Sequence, residues 1–145
     1  SSTEIKMLQT GGPLGGVLGK EAFATKIDFD EMAKSGAILG SGGIIVCDES
    51  VSVVDLIRNL VAFNQFESCG KCFPCRIGTH RLTERLNGSG GPTTESEWHT
   101  EVDDIGDTMM ATSACGLGMA APNITRSLQK YFPEQVAAHL QSVSR

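Results

Sequence analysis

The chain has 145 residues, 40% of them hydrophobic and 20% charged, with a net charge of −5. That length supports one modest core and not two large ones, and an acidic balance without a basic tract argues against a nucleic-acid partner. The longest apolar stretch, residues 37–47, is interrupted by Gly40, Ser41, Gly42 and Gly43, so it falls far short of the roughly 20 apolar residues a membrane span needs. A soluble chain in a reducing compartment is expected.

Residues 5–8 read as a short strand that runs into the glycine-rich stretch TGGPLGG at 10–16. Neither this stretch nor Gly40-Ser41-Gly42-Gly43 completes a phosphate-binding glycine pattern, because the required Lys-Ser/Thr or G-x-G-x-x-G spacing fails. Both read as turns. Residues 29–35 suit a short helix capped by Asp28 or Asp30 and stopped by Gly36. Ile44, Ile45 and Val46 then read as a buried strand closed by Cys47, which is expected to act as a small buried hydrophobe.

From residue 50 the apolar period changes to that of a helix, with Val54, Ile57, Leu60, Val61 and Asn64 on one stripe as far as Phe66. A second helix is expected from Pro74 to about Leu86 with Ile77, Leu82 and Leu86 inward, and NGSGGP at 87–92 breaks it. Thr94 and Glu97 form a capping-box pattern ahead of a third helix in which Trp98, Val102, Ile105 and Met109 recur at helical spacing. Pro122 and Pro133 can each open a further helix, the first reaching Tyr131 and the second carrying Val136, Leu140 and Val143. The expected fold class is α+β, a β fragment over residues 1–48 followed by a small bundle of about four helices over residues 49–145.

The stretch that carries chemistry is ESCGKCFPCRIG at 67–78, where Cys69, Cys72 and Cys75 stand at two consecutive C-x-x-C spacings. Bacterial ferredoxins use such a run for three irons of a 4Fe-4S cube and take the remaining ligand from elsewhere. Downstream only Cys115, in SACGLG, is available, so Cys69, Cys72, Cys75 and Cys115 form the candidate ligand set for metal and cofactor. A structural zinc is the alternative, but it usually takes two separated ligand pairs and there is no second pair here. Disulfides would need an oxidising compartment and usually an even cysteine count, whereas this chain has five cysteines. Lys71, Arg76 and Arg81 are near enough in sequence to offset the negative charge of a thiolate cluster, although Arg81 reads as a solvated helix residue. Pro74 fits the first turn of a helix whose free N–H groups can point at cluster sulfurs, and Gly116 and Gly118 allow the backbone to approach it.

His80, His99 and His139 have no second ligand at metal spacing and read as surface or bundle residues. Glu95, Glu97, Glu101, Asp103, Asp104 and Asp107 lie along the third helix and read as a solvated face.

Four motifs taken together, GGPLGG at 11–16, GAILGSGGIIV at 36–46, ESCGKCFPCRIGTHRL at 67–82 and CGLGMAAPN at 115–123, resemble the C-terminal part of the family of flavin-bearing, NADH-oxidising subunits. That family occurs in respiratory complex I, NAD-dependent formate dehydrogenases and NAD-linked hydrogenases. The resemblance implies a partial soluble ligand-binding β-grasp module at residues 1–48 and a helical 4Fe-4S domain at 49–145, with Cys69, Cys72, Cys75 and Cys115 as ligands. It further implies that FMN and NAD(H) sit on a partner polypeptide that completes the β-grasp module, and that other iron-sulfur subunits receive the electrons. No FMN or NADH residue carries over to this chain, and no catalytic residue is identified.

Two functions lead from these readings, ahead of a third in which residues 1–47 act as a ligand-sensing β-grasp domain that binds a small molecule. One is a single-electron relay between a flavin on a partner chain and further clusters. The other is a structural or assembly module stapled by a cluster or a zinc ion. The expected location is the cytoplasm or mitochondrial matrix, with attachment to the periphery of a membrane complex consistent with either function.

Overall fold

The computed structural model describes residues 4–92 and 94–143. A three-stranded antiparallel sheet is formed by β1 (Ile5–Thr10), β2 (Val17–Leu18) and β3 (Ile44–Asp48) in the order β2-β1-β3. The described residues also form seven α-helices. In chain order these are α1 (Phe29–Ser35), between β2 and β3, then α2 (Val53–Glu67), α3 (Phe73–Leu86), α4 (Glu95–Thr112), α5 (Gly116–Ala120), α6 (Asn123–Tyr131) and α7 (Pro133–Val143).

The helix boundaries follow local chemistry. The Asp28 carboxylate accepts the Glu31 N–H at the start of α1, and Gly36 ends it at φ 86°, in the left-handed region open to glycine. Ser52 caps α2. Thr94 and Glu97 make both halves of the capping box of α4, the Glu97 N–H donating to Thr94 Oγ1 and the Thr94 N–H to the Glu97 carboxylate.

The two glycine-rich stretches are turns, and they pack backbone against backbone. The Gly11 N–H donates to the Gly43 carbonyl at 3.0 Å, and the Ile38 N–H to that of Gly15 at 2.9 Å. A Cβ at Gly11 would lie 2.2 Å from the Ile38 carbonyl oxygen, so there is no room for a side chain between the strand turns.

One hydrophobic core joins the sheet to the helices. Met7, Val17 and Cys47 from the sheet meet Val53, Ile57 and Val61 of α2, Leu82 and Leu86 of α3, Trp98 and Val102 of α4, and Ile124, Leu128, Val136 and Leu140 from α6 and α7. Cys47 is the small buried hydrophobe its neighbours suggested, and burial pushes its thiol pKa up, with the Asp48 charge adding to the effect. The Asn64 side chain, also buried, donates to the Pro13 carbonyl and pins α2 to the first turn.

Several expectations are corrected by packing. The buried stripe of α2 starts at Val53, not Val54: Val53 stands four residues before Ile57 and joins the core with Ile57 and Val61, while Val54 is only half-buried. Ile77 is exposed, since α3 turns Gly78 toward α4 and buries Cys75, Thr79 and Leu82, leaving Ile77 outside. Ile44, Ile45 and Val46 are 42%, 54% and 59% exposed, because β3 is an outer strand that pairs, among the described residues, with β1 alone. The acidic residues of α4 are not simply solvated. Glu101 pairs with Arg85 at 2.6 Å, and Asp107 pairs with Arg126 at 2.6 Å, bracing α4 against α3 and α6. The Glu101 carboxylate, first by hydrogen bonding and then by charge, raises the Arg85 pKa.

His139 is buried edge-on to Trp98 with ring centroids 6.1 Å apart, and exposed His80 contacts the Gln65 amide. Among the described residues no helix is long and apolar enough to cross a membrane.

Ile57, fully buried where sheet and bundle meet, contributes more to stability than the exposed cap of α4. Ile57→Ala is expected to destabilise the fold by about 2–5 kcal/mol and Thr94→Ala by about 1 kcal/mol, an ordering that urea denaturation followed by circular dichroism checks.

Candidate metal centre

The site is built by the pairing of α3 with α4. Gly78 near the start of α3 packs on Met109 near the end of α4, and Arg85 near the end of α3 pairs with Glu101 toward the start of α4, so the two helices run antiparallel. A Cβ at Gly78 would fall 2.2 Å from Met109 Sδ, which explains the glycine: the Met109 side chain lies against the α3 backbone at this point. This geometry brings the loop entering α3, with Cys69 and Cys72, to the loop leaving α4, with Cys115.

Cys72 is the N-cap of α3 and Cys75 sits in its first turn, while Cys115 is the N-cap of α5. Cys69 and Cys115 are exposed, Cys72 is half-buried and Cys75 is buried. The backbone N–H of Ala114, then those of Cys75 and Cys72 itself, hold the Cys72 thiol below the ordinary cysteine value. Ala114 belongs to the other loop, so an amide preceding Cys115 already serves the sulfur of Cys72. Burial pushes the Cys75 thiol up; a hydrogen bond from Ser68 opposes this, and the charges of Cys72, Cys115 and Cys69 raise it further. All three other sulfurs of the candidate set therefore lie within electrostatic reach of Cys75.

The packing around Cys75 is tight. A Cβ on Gly118, in α5, would stand 2.9 Å from the Cys75 Cβ and 2.3 Å from Ser113 Oγ. Only a residue without a side chain lets α5 press on α3 at this point. Gly116 has open space around it, so of the two glycines flanking Leu117 only Gly118 serves the close approach.

Arg76 folds back over the first loop, its guanidinium 4.7 Å from the Phe73 ring centroid and its Nη1 donating to the Gly70 carbonyl at 3.2 Å. Lys71 is exposed beside it. Arg81 points away and pairs with Glu84, in line with its reading as a solvated residue. Cys47, on β3, is no part of the group.

Sulfur ligands suit an iron-sulfur cluster, whose irons are held by cysteine thiolates. Among the described residues no group of three or more His, Cys, Asp or Glu side chains converges as it would on a single metal ion. A cube asks for a wider spacing, since each thiolate binds a different iron. One buried thiol, two exposed ones, a half-buried one with amide donors and a glycine-lined approach fit that larger group.

Three residues that sequence patterns did not single out contribute here. Ser68 Oγ is 3.2 Å from Cys75 Sγ, the Ala114 amide serves Cys72, and Ser113 is buried against Gly118, which also packs on Cys75. Each adjoins a cysteine motif in the sequence. That adjacency was the available signal, but serines and alanines beside cysteines carry no spacing rule of their own.

Comparison with known proteins supplies the context. Residues 55–139 match the family described as the NADH-ubiquinone oxidoreductase-F iron-sulfur binding region. The chain is 36% identical over 137 residues to the HndC polypeptide of the NADP-reducing hydrogenase of Solidesulfovibrio fructosivorans, covering 94% of this chain and 28% of that protein. It is 30% identical over 141 residues to the F 2 polypeptide of the NADH-quinone oxidoreductase of Rhizobium meliloti, covering 95% of this chain and 33% of that one. In three dimensions it matches the crystal structure of an NAD+-reducing NiFe hydrogenase in the H2-reduced state with a TM-score of 0.81 at 28% identity, over 96% of this chain and 24% of that chain. The chain thus spans a third or less of the length of these relatives. The family match extends from α2 into α7 and encloses both cysteine loops, and the chain accordingly belongs to the NADH-ubiquinone oxidoreductase-F iron-sulfur binding family, whose cofactor is a 4Fe-4S cluster.

Proposed function

We propose that this chain is a one-electron relay in which Cys69, Cys72, Cys75 and Cys115 hold the 4Fe-4S cluster. It takes electrons from an FMN reduced by NADH on another polypeptide, or returns them toward NAD, and passes them to further iron-sulfur subunits. The observation that carries this reading is the contact of Gly118, in the short helix that Cys115 opens, with buried Cys75 in the first turn of α3, which brings together two cysteine motifs far apart in sequence. When bound, the cluster supplies single-electron redox chemistry, which matches a two-electron hydride donor to one-electron carriers through the flavin.

The chain's own residues hold and shield that centre. Cys75 and the Gly118 backbone form its buried wall, the amides of Ala114 and Cys75 stabilise the Cys72 thiolate, and Arg76 brings positive charge to the exposed side. No acid, base or nucleophile is needed for such a step.

We divide the chain into a partial β-grasp module at residues 1–48 and a cluster-binding helical domain at 49–145. The outer strand β3, with its exposed Ile44, Ile45 and Val46, supports a flavin- and NADH-binding polypeptide that adds strands there and covers the apolar face. A location in the cytoplasm or mitochondrial matrix, where thiols stay reduced, fits cluster binding.

Anaerobically purified chain is expected to contain iron and inorganic sulfide and to give a reducible EPR signal. NADH is expected to bleach it only when the flavoprotein partner is added. A zinc-containing or redox-silent protein would instead favour the assembly module, and bleaching by NADH without a partner would refute the relay assignment. Cys115→Ala is expected to lose the intact 4Fe-4S signal. Gly118→Ala, which forces a methyl group against Cys75 and Ser113, is expected to lower iron content several-fold while far-ultraviolet circular dichroism still reports a helical protein.

A further inference from the structure

Two hydroxyl groups stand beside the cysteines without forming part of the ligand set. Ser68 Oγ is 3.2 Å from Cys75 Sγ and also faces the Gly70 N–H, which donates to it at 3.4 Å. A thiolate has no proton to give, so once Cys75 is a ligand its sulfur can only accept. The Gly70 N–H occupies a lone pair of the hydroxyl, leaving the Ser68 O–H to point at sulfur.

Ser113 is the second case. It is 5% exposed, and its Oγ has no hydrogen-bond partner among the described residues. A buried hydroxyl left unpaired costs on the order of 1–3 kcal/mol, so an orphan of this kind calls for a partner. Its position narrows the choice. Ser113 is packed on Gly118 next to Cys75, two residues before Cys115, and immediately ahead of the Ala114 amide that serves Cys72. Sulfur acceptors of the cluster and its thiolates are the neighbouring groups of matching chemistry.

Building on the proposed ligand set, we propose that Ser68 and Ser113 are positioning residues that donate hydrogen bonds to the sulfur shell of the cluster, Ser68 to the Cys75 thiolate and Ser113 to a sulfur on the inner side, and that they raise its reduction potential. Reduction adds one electron to a centre that is already negative. A hydrogen-bond donor stabilises the reduced form more than the oxidised form, and hydrogen bonds to sulfur are among the levers that set cluster potentials. No bond to iron is made or broken, and both serines keep their protons.

The test uses the full chain, purified anaerobically with its cluster, and a dithionite redox titration followed by EPR. Ser68→Ala and Ser113→Ala are each expected to shift the one-electron equilibrium about three- to tenfold toward the oxidised form, a tenfold shift being about 59 mV lower in potential. Ser68→Thr, which keeps the hydroxyl, is expected to restore most of the shift. In D2O, wild-type protein is expected to lose exchangeable-proton hyperfine couplings, one of which is already absent from Ser68→Ala.

Alanine variants with full iron and sulfide and unchanged potentials would overturn the inference and leave the relay standing. If Ser113→Ala does not retain a cluster, the wild-type couplings decide: fewer than two strongly coupled exchangeable hydroxyl protons would overturn the Ser113 assignment. Wild-type chain with no iron-sulfur centre at all would overturn the underlying ligand set instead.

Discussion

The antiparallel contact between α3 and α4 is the constraint on which the site depends. The cysteine motifs belong to two loops separated by both helices, and only a helical hairpin with its closed end far from the cysteines returns them to each other. Gly78 against Met109 sets how near the two helices come, and the half-buried Arg85–Glu101 pair fixes their register at the opposite end. A salt bridge of that kind adds little stability once the desolvation of both charges is counted. Its contribution is alignment, since sliding α4 by one turn would carry Cys115 out of reach of Cys75.

Around the thiols, burial and hydrogen bonding act in opposite directions. Cys75, enclosed by Gly118 and Ser113, resists ionisation when no metal is bound, whereas Cys72 at the head of α3 is favoured as a thiolate by backbone amides. A metal centre resolves the conflict, because ligation removes the proton from a buried thiol and neutralises part of its charge. The exposed positions of Cys69 and Cys115 leave the opposite side of the site open, with Phe66 and Phe73 exposed nearby.

The sheet has a different status from the bundle. Its inner face, through Met7, Val17 and Cys47, is continuous with the core of the helices, so it is firmly part of this unit. Its outer strand is not finished. Apolar side chains on an uncovered edge invite strand pairing, and the relatives are about three times as long as this chain or longer. A shared core on one side and an unfinished edge on the other are what a piece of a larger fold would present.

Taken alone, the sequence determined whatever depends on near neighbours along the chain. Caps at Asp28 and Thr94, the stops at Gly36 and 87–92, the apolar periods of α4 and α7, and the C-x-x-C-x-x-C run are local patterns whose physics acts within a few residues. Tertiary structure decided what depends on distant contacts. Two residues of β2 and the five of α5 are too short and too glycine-rich to declare themselves, and they form because β1 offers hydrogen bonds to one and Cys75 offers a packing surface to the other. The outward turn of Ile77, the exposure of Ile44 to Val46, the pairing of the α4 carboxylates with Arg85 and Arg126, and the approach of Ser68 and Ser113 to the thiols were all invisible for the same reason. Which face of an element meets protein, and which meets water, is settled by the partner lying across from it, and a linear pattern does not name that partner.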